Sequence, residues 1–147
     1  MNWIAYLAAI AAGAANPAQA GANAELRKTL GQAILPAIFV YLSGLIGVAL
    51  IQLIVREGWP GPDKFAHTPW WAWFGGALSI ASTFAGITLA QRMGSGVFTG
   101  LSITAAVITS VVLDNFGWVG FKVHPVSWPR AAGCVLMVAG LWLVSKF

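Results

Sequence analysis

Four long stretches of this chain, residues 1–24, 32–55, 70–91 and 93–113, hold no Asp, Glu, Lys or Arg, and 131–145 makes a shorter fifth. A helix needs roughly 20 apolar residues to cross a bilayer core about 30 Å thick. Four stretches meet that length. The fifth meets it once Trp128, Pro129, Arg130 and Lys146 sit in the interfaces. The pattern predicts an all-α membrane protein with about five transmembrane helices, over approximately 2–24, 32–55, 70–91, 95–117 and 129–146.

Short connections leave no room for a second domain, so residues 1–147 read as one transmembrane domain. The longest connection, Arg56 to Pro69, holds Gly58, Pro60, Gly61 and Pro62, which favour turns over a packed fold. The first stretch lacks a basic leader, and Asn16, Gln19 and Asn23 interrupt it, so it reads as a helix rather than a signal peptide. Proline is tolerated at Pro36, near the start of the second helix. Offsetting the chain by 63 residues aligns Gly13 with Gly76, Ala14 with Ala77 and Gly31 with Gly94, a weak repeat that would relate hairpins 13–50 and 76–113.

Composition agrees with a membrane reading: 59% of residues are hydrophobic, 8% are charged, and the mean hydropathy is +0.79. Charge adds a question of orientation. Threading five helices puts Arg27, Lys28, Arg92 and Lys146 on one side and Arg56, Lys64, Lys122 and Arg130 on the other. Orientation normally follows an excess of Lys and Arg on the cytoplasmic side. A four-to-four balance leaves open that copies insert both ways and pair antiparallel. Spread over short loops, these basic residues make no nucleic-acid surface.

Candidate chemistry is sparse. Trp70, Trp71 and Trp73, with most of the other tryptophans, mark helix ends as an interfacial belt. His67 and His124 lie in loops without carboxylate or thiol partners at ligand spacing, and Cys134 stands alone, so neither a metal site nor a cofactor is expected. No nucleophile–base pattern or paired carboxylates point to an enzyme.

Polar positions inside the helices say more. Asn16, Gln19 and Asn23 project from one face of the first helix, within about 60° of one another, beside Pro17. Lipid cannot satisfy three amides, so they face protein, water or a solute. On the third span Ser79, Ser82 and Thr83 share a face with Gly75 and Gly86. On the fourth, Ser102 and Ser110 share one with Gly96, Thr99 and Asp114. Such stripes serve close helix packing or line a polar path. Asp114 is the acidic residue nearest a membrane core, and is either a coupling site for a proton or cation or a helix-end group.

Taken in order, several motifs resemble the small five-helix YdcZ family of bacterial membrane proteins, in the drug/metabolite transporter superfamily. They are Asn23-x-x-Leu26, Gly44, Trp73-x-Gly75-Gly76, Gly94, Asp114-x-Phe116-Gly117 and Arg130-x-x-Gly133-x-x-Leu136-x-x-x-Gly140. Where that family often has a Gly-Gln pair, this chain reads Ala105-Ala106. The resemblance implies transport without naming a cargo. The resulting expectation is a homodimeric secondary transporter of a small molecule in the bacterial inner membrane, in contact with lipid and without nucleic acid. A membrane scaffold or a small channel is the alternative.

Overall fold

The computed structural model describes residues 2–147, all helices, turns and loops. The helices are α1 (Trp3–Leu30), α2 (Ile34–Val55), α3 (Pro62–Ala66), α4 (Gly75–Met93), α5 (Ser95–Phe116) and α6 (Trp128–Lys146). Two short 3₁₀ segments, Trp70–Phe74 and Trp118–Gly120, precede α4 and follow α5. Ile34–Val55, Trp70–Met93, Ser95–Phe116 and Trp128–Lys146 are long and apolar enough to cross a membrane. At 28 residues, α1 is longer than any of these, about 42 Å at 1.5 Å per residue, but its amides and charges dilute its apolarity. It makes the fifth span of an all-α membrane protein.

Helix boundaries follow local chemistry. α1 continues six residues beyond the expected end because Glu25, Leu26, Arg27 and Lys28 are good helix formers. Lys28 also sits 3.7 Å from Glu25, one turn away. α2 ends at Arg56, whose left-handed backbone (φ 55) lets its N–H donate to the Gln52 carbonyl at 2.8 Å. The 56–69 connection is more ordered than its prolines suggest, since Pro62 opens the single-turn α3. Phe65 of that turn stacks on Trp73 at 6.1 Å. One residue, Gly94 at φ 85, separates α4 from α5, and only glycine takes that angle without strain.

The chain divides into two compact units: Ala20–Thr88, and the residues up to Gln19 together with Leu89–Phe147. Inside the first, Ala24 and Ile87 are buried, and the Arg27 guanidinium donates to the carbonyls of Ile87 (3.4 Å) and Thr88 (3.3 Å). A cation near the C-terminal end of α4 also complements its dipole. The bond places the C-terminal ends of α1 and α4 together, as the threading requires.

In the second unit α5 and α6 pack antiparallel. Their contact runs along Gly96 and Gly100. A methyl group at Gly100 would lie 2.6 Å from Leu141 Cδ1, and one at Gly96 3.9 Å from Val144. Missing side chains let the helices approach, and Thr104 is buried on the same stripe. Elsewhere the large apolar residues are exposed: Leu45 at 67%, Ile54 at 80% and Leu136 at 71%. Such a surface suits hydrocarbon, not water.

Candidate functional site

Three polar groupings stand out, and the first is the amide face of α1. Asn16 and Gln19 are exposed and Asn23 is half-buried. The residues that face the chain's own interior lie beside them, at Gly13, Pro17, Ala20 and Ala24. Among the described residues, every buried side-chain nitrogen or oxygen has a partner. Asn16 and Gln19 are therefore presented outward, with Asn23 at the edge of that face.

A second grouping lies where α2 meets α4. The Tyr41 hydroxyl lies 3.1 Å from Ser79 Oγ and 2.9 Å from Thr83 Oγ1. Ser82 instead turns back to the Leu78 carbonyl at 3.3 Å. So two of the three expected hydroxyls on α4 are brought together, by a tyrosine the sequence reading did not single out. The signal was available: Tyr41 is a polar-tipped ring within an uncharged, strongly apolar helix. Its ring helps wall a groove of about 530 Å³ with Ile38, Leu45, Ile80 and Phe84. That wall is apolar.

The third grouping closes the α5–α6 connection. Arg130 Nη2 donates to Asp114 Oδ2 at 2.7 Å, while Nη1 donates to the His124 carbonyl at 3.0 Å. The His124 N–H donates to the Asp114 carbonyl at 2.9 Å, and the Val126 N–H to Asn115 Oδ1 at 3.0 Å. The carboxylate thus already faces a cation. On α5, Ser102 and Ser110 are exposed, since the packing stripe passes through Gly96, Gly100 and Thr104 instead. Among the described residues, no cluster of His, Cys, Asp and Glu is arranged to hold a metal ion.

A family model described as "Putative inner membrane exporter, YdcZ" matches residues 4–143. The chain belongs to the YdcZ family. No curated protein and no solved structure shows significant similarity to it. The matched residues include all three groupings.

Proposed function

We propose that the chain is a secondary exporter of a small molecule in the bacterial inner membrane, working as a homodimer. The observation that carries this reading is the outward amide face of α1. A polar stripe on a membrane helix costs several kcal/mol per unmet group unless water, solute or protein covers it. A transport path supplies such cover, and the family description supports export. One protomer has few helices to enclose a path, whereas two contribute ten.

In this reading Asn16, Gln19 and Asn23 line the path, with Ser79, Ser82, Thr83, Ser102 and Ser110 as further candidates. Asp114 is the candidate coupling group, and its role would require the Arg130 pair to open during the cycle. The bundles rock about a site near the membrane midplane.

Proteoliposomes loaded with a metabolite extract test the proposal, with efflux read by mass spectrometry. An exporter releases at least one solute faster than empty liposomes, and the rate saturates with internal concentration. Linear release indicates a channel. Release no faster than from empty liposomes indicates a scaffold.

A further inference from the structure

The connection from α2 to α4 turns its polar atoms inward and its rings outward. The Arg56 N–H donates to the Gln52 carbonyl at 2.8 Å, and the Gln52 side chain donates to the Glu57 carbonyl at 2.6 Å. The His67 N–H donates to the Asp63 carbonyl at 3.1 Å, and Thr68 Oγ1 donates to the Lys64 carbonyl at 2.8 Å. Just beyond, the Ala72 N–H donates to the Pro69 carbonyl at 3.0 Å. The rings do the reverse. Trp59 is 87% exposed, Trp70 74% and Trp73 58%, and Phe65 is 44% exposed although it stacks on Trp73. A loop bathed in water gains nothing from this division, because water bonds freely to polar groups and rejects apolar rings.

We infer that residues 56–69 lie in the headgroup layer of the bilayer, with Trp59 and Phe65 towards the acyl boundary. The connection is then a membrane anchor in its own right, whether or not the chain exports a solute. Place, chemistry and charge each point to lipid as the occupant of this surface.

Place comes from the two flanking spans. Ile34–Val55 and Trp70–Met93 are both long and apolar enough to cross the membrane, and the connection joins the end of one to the start of the next. Both of its ends therefore meet the same face of the bilayer. The chemistry suits that depth. An indole ring is apolar yet keeps an N–H that water or phosphate can satisfy, so tryptophan gathers at the headgroups. The backbone bonds of α3 and of the 3₁₀ segment lower the cost of leaving bulk water.

Charge narrows the choice of partner. Arg56 and Lys64 cancel Glu57 and Asp63, so residues 56–69 have no net formal charge with His67 neutral. They present no field to an acidic or basic soluble protein. They also have no net attraction to anionic lipid. What is left uncovered is ring surface, and the boundary between headgroups and acyl chains covers it.

Spin labels on Gly58→Cys and Gly61→Cys, each alone in a Cys134→Ala background, test this in lipid nanodiscs. Neither glycine has anything within 4 Å of where a Cβ would stand, so a label fits at both sites while Trp59 is kept. Oxygen partitions into the bilayer and a nickel chelate into water, so the ratio of their collision rates with the label reports depth. At both sites the ratio should be several-fold above that of a label free in water, and the same in zwitterionic and in anionic phospholipid. Trp59→Ser should bring it down towards the water value, and Trp59→Tyr, which keeps a polar-tipped ring, should restore most of it. Should one labelled variant fail to fold, the other reads the same depth. A water-like ratio at either site would overturn the anchor and leave the rings to a protein partner. A high ratio confined to anionic lipid would overturn it by showing that charge holds the connection down, and so would a ratio that Trp59→Ser leaves unmoved.

Discussion

Arg130 holds Asp114 at 2.7 Å across the ends of the α5–α6 connection, sixteen residues apart in sequence. The two side chains are 35% and 24% exposed, so neither water nor lipid fully competes for them. The same arginine takes the His124 carbonyl. One side chain therefore ties the end of α5, the middle of the loop and the start of α6.

Arg130→Ala should lower the thermal midpoint in detergent, at a cost of about 1–3 kcal/mol for a lost charge-assisted hydrogen bond. Arg130→Lys should recover only part, because an ammonium lacks the fork that reaches both acceptors. Thermal unfolding of purified protein measures both. Equal midpoints for wild type and Arg130→Ala would show that the pair contributes no stability.

Asp114→Asn separates the structural role of this carboxylate from its proposed coupling role. If Asp114 couples export to a proton or cation, the variant loses the pH dependence of efflux yet still exchanges substrate for substrate. A normal pH profile would make Asp114 a helix-end residue whose work is done by Arg130.

Two opposite substitutions probe the strain in this connection. Gly117 has φ 65, and a methyl group there would lie 2.7 Å from Val123 Cγ2. Gly117→Ala should cost about 1–2 kcal/mol for the left-handed backbone, plus the displacement of Val123. Val119 already occupies the left-handed region at φ 55, unusual for a β-branched residue. Val119→Gly should therefore be neutral or stabilising, by under about 1 kcal/mol once the added chain entropy of glycine is counted. Differential scanning fluorimetry on the two variants should move the midpoint in opposite directions or leave Val119→Gly unchanged.

Tyr41→Phe removes the hydroxyl that joins α2 to Ser79 and Thr83. Hydrogen bonds between membrane helices average about 0.6 kcal/mol, so two of them predict a loss near 1 kcal/mol. Unfolding in mixed micelles with increasing dodecyl sulfate measures it.

Much of the fold was legible because lipid imposes a simple rule: long uncharged stretches become helices, and loops hold the charge. The C-terminal ends of α2, α4, α5 and α6 fall within two residues of their expected places, while residues 70–74 form a 3₁₀ segment ahead of α4. The end of α1 does not: the uncharged stretch stops at Ala24, but the helix runs on through Glu25, Arg27 and Lys28 to Leu30. In fact Arg27 finds carbonyl partners sixty residues away and Lys28 an acid one turn back. Local pattern carries no record of such distant bonds. Tyr41, and the pairing of Arg130 with Asp114, escape the sequence for that reason as well: each matters through a partner far along the chain. On α5 a projection alone cannot tell which edge of a small-residue face meets α6 and which leaves Ser102 and Ser110 exposed.

The central claim is that the amide face of α1 lines an export path, and the Asn16→Ala/Gln19→Ala double variant tests it most directly. Efflux from proteoliposomes should be abolished while yield and monodispersity stay near wild type. Unchanged efflux in the folded double variant would contradict the account, and parallel loss of yield and efflux would assign the amides to packing.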